Sequence, residues 1–339
     1  MASAQSFVNT KLVMDALNLP GDEAGLYNRC REASLNLLGL IGSFVPTTAT
    51  KTYYALEYER GVECEYVFVI DPLLALTAIT DENSTAIAST SYALRPVNKA
   101  WENGPYLRIE CDYDEINITG RWGLYEEYSS TGLTGSLAAT STSSLVLTNG
   151  GLIWPGDVIK MGDEQILVTA GCGGEKSPSP STLTGYVTTG YVNQTLDVIP
   201  VTSGTVFNAN EVIRIDNEDM LIQRIVSNTL VVRRGWNGSE RDDHQLGATI
   251  TVYRTITIER GMNGTTAAIQ SSVTIYKAVI PQDVAYLATQ MAALIRGKAM
   301  TGFTGRSGND GGGESFYLSE FPRSAIKTFR SCILPHLAV

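Results

Sequence analysis

Histidine is almost missing from this 339-residue chain: only His244 and His336 occur, in different segments. A general base or a metal centre built on imidazole has little to draw on, and both rings are expected on the surface or packed. Cysteine is equally unhelpful to a site. Cys30, Cys64, Cys111, Cys172 and Cys332 form an odd set with no C-x-x-C pair, which excludes a disulfide framework or a zinc site and fits synthesis in a reducing compartment. Positive charge is short as well. Lys and Arg number 25 against 35 Asp and Glu, for a net charge of −10. With no basic run, tight wrapping of nucleic acid is excluded, while an acidic lumen past which DNA slides stays open. The opening MASAQSFVNT has no charged segment followed by an apolar run, and no apolar stretch reaches 18 residues; neither a signal peptide nor a membrane span is expected.

What is present is enough for about two ordinary cores at roughly 150 residues per domain. Hydrophobic residues make up 43 % of the chain and charged residues 18 %, a globular balance. From about Gly21, Leu26, Cys30, Ala33, Leu37, Leu38 and Ile41 recur at steps of three and four. This spacing predicts a helix near 22–44, with Asp22 and Glu23 in its first turn. Pro46 ends it. Strands are expected at 63–71, 85–96, 105–112 and 115–125, so the N-terminal part reads as a helix and a small β-hairpin element. A second helix is expected at 281–300, opened by Pro281 and carrying Val284, Leu287, Ala288, Met291 and Leu294 on one stripe. The Gly-rich stretch TGFTGRSGNDGGGES reads as a flexible hinge, and a short helix near 322–333 precedes the apolar exit ILPHLAV.

Between these parts, residues 126–278 are rich in Ser, Thr, Gly, Val and Ile and show almost no helical period. They predict an all-β, sandwich- or barrel-like insertion. Two repeats run through it. GDVIKMGDEQILV (156–168) aligns with NEVIRIDNEDMLI (210–222) at a spacing of 54, and LVVRRGWNGS (230–239) aligns with ITIERGMNGT (256–265) at 26. The reading is two related modules in series, about 131–200 and 201–278. Asn-Gly suits a tight strand reversal because both residues tolerate positive φ. Arg233, Arg234 and Arg260 beside it read either as solvated or as partners of the repeated acids Glu164 and Glu218.

Candidate chemistry is thin. The acidic strings at 160–166 and 214–220 offer oxygen ligands for calcium, but their spacing does not match an EF-hand loop, and turn chemistry accounts for them. GNDGGG (308–313) lacks the Lys-Ser/Thr that a phosphate cradle requires. Trp101, Trp122, Trp154 and Trp236 could line a sugar groove, although aromatics at strand edges are commonly core. No nucleophile, base and oxyanion site assemble, so an enzyme, a cofactor and a metal centre are not expected.

The order of segments is similar to the head-to-tail connector (adaptor) proteins of tailed bacteriophages. It runs from the helix ending in VPTTATKTYYALEYE through PYLRIECD and INITGRWGLY to the helix opened by Pro281 and then GESFYLSEFPRSAIKTFRSCILP. Ile116, Ile118, Gly120, Trp122 and Gly123 match the family's apolar-x-Ile-x-Gly-x-Trp-Gly-Tyr strand, with Leu124 inserted before Tyr125, and Tyr317, Pro322 and Ile326 match its terminal segment. The β repeat, with Arg234, Gly235 and Gly238 in one copy and Arg260, Gly261 and Gly264 in the other, resembles a module of phage neck and tail proteins.

The resemblance implies an α+β fold. A connector core of residues 1–125 plus 279–339 would have helices near 22–44, 281–300 and 322–333, interrupted by the β-rich insertion at 126–278. It implies a structural virion protein of the neck, made in the host cytoplasm. Copies would form a cyclic ring, generally a dodecamer, beneath the portal protein and extend the DNA channel without sequence-specific binding. They would offer a docking surface to a tail or neck protein. Phe316, Tyr317, Phe321, Phe329, Ile333, Leu334, Leu337 and Val339 would belong to a C-terminal arm that holds the portal or a neighbour. A tail-fibre or receptor-binding β protein with carbohydrate-binding modules is the alternative.

Overall fold

The computed structural model describes residues 4–21, 25–55, 66–95, 105–171, 176–182, 184, 191–192, 195–301, 306–307 and 314–315. Three α-helices occur among them. The first, α1 (Thr10–Leu17), is too short to show a period; Asn9 caps it by accepting the Leu12 N–H at 2.9 Å, and Asn18 ends it at φ 51°. The second, α2 (Leu26–Ile41), starts after Gly25 at φ 84°, later than expected, so Asp22 and Glu23 precede it. The third, α3 (Gln282–Thr301), follows Pro281, whose carbonyl accepts from Ala285. The expected helix near 322–333 and the whole C-terminal arm, Phe316, Tyr317, Phe321, Phe329, Ile333, Leu334, Leu337 and Val339, lie outside the described residues.

The fold is α+β and dominated by strands. A five-stranded antiparallel sheet is built from β1 (Thr47–Tyr54), β2 (Tyr66–Asp81), β3 (Tyr92–Arg95), β4 (Tyr106–Cys111) and β5 (Glu115–Trp122), in the order β1-β5-β2-β4-β3. The strand expected at 85–96 survives only as β3, because Ile87 turns back to the Ile79 carbonyl. The connector-like residues sit on β5. Ile118 is buried, and the Trp122 indole donates to the Ala49 carbonyl at 2.9 Å with the Lys51 ammonium 4.5 Å from its ring centre. The Gly123 N–H donates to the Pro72 carbonyl. Gly120 lies where a Cβ would come within 2.5 Å of the Ala75 carbonyl oxygen. Gly120→Val is therefore expected to cost about 1–3 kcal/mol by overpacking, read as a lowered thermal midpoint; an unchanged midpoint would contradict the close approach.

The β-rich region contains two modules, but they are not in series. Its strands are β6 (Tyr128–Leu137), β7 (Ser144–Val146), β8 (Val158–Met161), β9 (Glu164–Ala170), β10 (Lys176–Thr182), β11 (Tyr191–Val192), β12 (Val198–Pro200), β13 (Val212–Ile215), β14 (Glu218–Val226), β15 (Thr229–Trp236), β16 (His244–Gln245), β17 (Thr249–Tyr253), β18 (Thr255–Glu259) and β19 (Gln270–Ala278). One six-stranded sheet has the order β6-β19-β8-β9-β18-β7 and the other β10-β17-β13-β14-β15-β12. Numbered along its own chain, each sheet has the same strand order. The second module is therefore inserted whole between β9 and β18 of the first, which corrects the expected boundaries near 131–200 and 201–278. Insertion is geometrically simple because the ends meet: Lys176 pairs with Tyr253, and just outside Ala170 pairs with Thr257. Two short pairs complete the strands, β11 with β16, and β20 (Arg306–Ser307) with β21 (Glu314–Ser315).

Each module has its own apolar core. Leu137, Ile159, Met161, Ile166, Ile256 and Ile275 lie in the outer one, and Ile199, Ile213, Ile215, Met220, Ile222 and Ile250 in the inner one. The opposite face of the inner sheet is covered by the helices. Val212, Leu221, Trp236 and Tyr253 share one cluster with Val13 and Met14 of α1, Cys30, Ala33 and Leu37 of α2, and Val284, Ala288 and Met291 of α3. The equivalent positions of the outer module, Val158, Leu167 and Met262, pack on Ala4 and Val45. Trp122, Trp154 and Trp236 are all buried, so these indoles do not line a sugar groove; Trp101 lies outside the described residues.

Candidate interaction site: two buried clasps and the segment they hold

The repeated residues converge at one place in each module. In the outer module Glu164 stands at the start of β9, where Gly162 at φ 60° permits the two-residue turn from β8. Its carboxylate accepts Arg260 Nε at 2.6 Å and Nη2 at 2.7 Å, the Gly261 N–H at 3.0 Å and the Ala268 N–H at 3.0 Å. The guanidinium also donates to the Ala139 and Ala268 carbonyls. The inner module repeats this arrangement atom by atom. Glu218 accepts Arg234 Nε at 2.9 Å, Arg234 Nη2, the Gly235 N–H at 3.0 Å and the Asp242 N–H at 3.1 Å, and Arg234 donates to the Leu196 and Asp242 carbonyls.

Of the two readings of the arginines, pairing with the repeated acids holds for Arg234 and Arg260. Arg233 instead donates to Asn18 Oδ1 and to the Asn18 carbonyl, both at 3.0 Å. Burial by itself would raise both acids; the guanidinium and the backbone N–H donors, joined at Glu218 by His244, hold Glu164 below its ordinary value and Glu218 down to about 2. Both oxygens of Glu164 and of Glu218 already have donors, and Asp219 is held by Arg214 and Tyr253, so these three acids of the repeated strings serve the fold.

The Asn-Gly turns adjoin the clasps. Asn237 and Gly238 have φ 56° and 73°, Asn263 and Gly264 have 54° and 78°, and Ser239 and Thr265 donate back to the Trp236 and Met262 carbonyls. These are tight turns with both central residues left-handed. They do not join paired strands, contrary to the expected strand reversal, since the chain next crosses two strands to reach β17 or β19. Asn237 and Asn263 bind the N-terminal segment instead. Asn263 Oδ1 accepts the Ala4 N–H at 2.8 Å, its carbonyl accepts the Thr48 N–H at 2.8 Å, and the Asn237 N–H donates to the Pro20 carbonyl at 3.1 Å. Residues 4–21 thus form a strap from one module's turn to the other's. It is tied between them by Asn9 Nδ2 to Asp157 at 2.8 Å and by the Thr10 N–H to the Pro155 carbonyl.

Sequence reasoning missed this strap. The signals were Asn9 and Asn18, which could have marked the two ends of α1, and Gly21, where a Cβ would lie 2.3 Å from the Asn237 nitrogen. His244, expected to be superficial or packed, is fully buried in the inner clasp. Among the described residues no group of His, Cys, Asp and Glu has the arrangement to hold a metal ion, and no helix is long and apolar enough to cross a membrane. No protein-family model, curated protein or solved structure matches the chain.

Proposed function

We propose that this protein is a structural head-to-tail adaptor of a tailed-phage virion. Copies form a cyclic ring beneath the portal protein, extend the DNA channel and present the nested β modules to a tail or neck protein. One observation carries the reading beyond the sequence resemblance: the helices, the strap and the inner module share one apolar core. A module fastened in that way is a rigid platform, which suits transmission of docking forces better than a tethered appendage would. The repeated Glu–Arg pairs are consumed internally, which supports a scaffold rather than a catalyst. The net charge of −10 suits a channel that DNA does not adhere to. Copies in such a ring meet through heterologous contacts, one face against the opposite face of the next. The C-terminal segment after Ser315 is assigned the portal-binding arm.

Native mass measurement tests the ring. A particle about twelve times the 36.6 kDa chain mass is expected, and a trimer that binds glycans would instead favour the receptor-binding reading. A chain ending at Ser315 is expected to fold but not to join the portal, and normal assembly of that truncation would sink the arm assignment.

A further inference from the structure

The two clasps differ in two titratable residues, His244 and Asp216, the second standing where the outer module has Gly162. At the position where the inner module has His244, the outer one has Gln270, whose amide donates to the Met161 carbonyl at 3.2 Å. The His244 ring lies between two carboxylates, with Nδ1 2.7 Å from Asp216 Oδ2 and Nε2 3.0 Å from Glu218 Oε2. An ionised carboxylate only accepts, so both contacts are hydrogen bonds only when both ring nitrogens carry protons. A neutral imidazole would turn a bare lone pair towards one of the two carboxylates, with the ring itself fully buried.

We propose that His244 is a proton-operated latch, closed as the imidazolium, that pins the loop 237–247 and through it the inner module's grip on the N-terminal strap. The charged groups around the ring are Asp216 from the β13–β14 turn, Glu218 from β14 and Arg234 from β15; Asp242 and Asp243 of its own loop are exposed. Asp216, with a side chain 55 % exposed, connects the buried ring to solvent and gives the proton its way in and out. The latch acts on one loop. Asp242 binds Glu218 through its backbone, and the Asn237 N–H at the other end of the loop holds Pro20. Loss of the proton opens the Asp216 or the Glu218 contact and releases that loop, while the outer module, with an amide in place of the ring, stays closed.

The sign is set by the partners. Burial lowers the ring's affinity for its proton, Glu218 and Asp216 raise it, Arg234 lowers it, and the balance lies above the ordinary value. The stabilisation is therefore complete below about pH 6.5 and lost as pH rises through the folded-state value. Hydrogen exchange on the full-length protein reads this directly, with the segment 263–273 of the outer module as internal control. After correction for intrinsic base catalysis, protection of 237–247 is expected to fall by up to about tenfold per pH unit above pH 6.5, with no such slope in 263–273. His244→Gln should flatten the profile, and Asp216→Asn, which leaves the buried clasp intact, should end the fall at lower pH and make it smaller. Equal slopes in the two segments, or a profile that neither variant alters, would overturn the latch.

Discussion

Arg234→Met is expected to destabilise the inner module by about 3–5 kcal/mol, because it strips the fully buried Glu218 carboxylate of its bidentate guanidinium and leaves only the single His244 side-chain contact. A loss of that size is a large fraction of the roughly 5–15 kcal/mol that holds a domain folded. Trp236, two residues away and buried, reports the transition by fluorescence during urea unfolding. Arg260→Met should do the same to the outer module, since Glu164 is equally sealed. Adding Glu218→Leu to Arg234→Met should recover much of the loss, because no buried carboxylate is then left short of its guanidinium and His244 keeps Asp216 as its partner. A cost below about 1 kcal/mol for Arg234→Met would mean that the pair is spectator chemistry.

The same clasp sets an acid limit. Glu218 is held down to about 2, below its ordinary value, so its contribution is present above about pH 4.5 and disappears as pH falls from there towards 2. With His244 acting in the opposite direction, the inner module is destabilised from both the acid and the alkaline side, and the outer module from the acid side alone.

Replacing residues 173–254 by Ser-Asn, the pair that closes the equivalent β14–β15 hairpin at Ser227 and Asn228, is expected to leave the outer module folded with its six strands paired. The reason is topological: all of β6, β7, β8, β9, β18 and β19 remain, and Ala170 already lies opposite Thr257. The helical layer should respond very differently. It loses Val212, Leu221, Trp236 and Tyr253 from its core, at about 1.5–3 kcal/mol for each buried Val or Leu side chain alone. Hydrogen exchange should show β18 and β19 still protected while α1 and α2 exchange freely. Loss of protection in β18 and β19 would sink the nested reading. Full protection in the helices would show that the inner module is an appendage after all.

Several features were legible in residues alone. The stripe Leu26, Cys30, Ala33, Leu37 and Ile41 marked α2, and Val284, Leu287, Ala288 and Met291 marked α3, because a helix writes its buried face every three or four positions. The repeats marked two modules, and Asn-Gly marked left-handed turns. Even the nesting left a trace. The first half of the outer module precedes its inner twin by 54 positions, whereas the second half follows its twin by 26. Tandem copies would keep one offset and one order. A hairpin reading of Asn-Gly hid that trace.

Other features had no local signature. Glu164 and Arg260 are 96 residues apart and Glu218 and Arg234 only 16, yet they make the same contact, because sheet order and not chain distance brings them together. Burial of His244 between two carboxylates, and use of both Asn-Gly turns to hold a single strap, likewise exist only once each sheet has closed over its core. Periodicity and turn preference are properties of a few consecutive residues and can be read from them. The partner of a buried charge depends on which strands lie side by side, and here an inserted module places those strands far apart in the chain, so only the tertiary structure decided it.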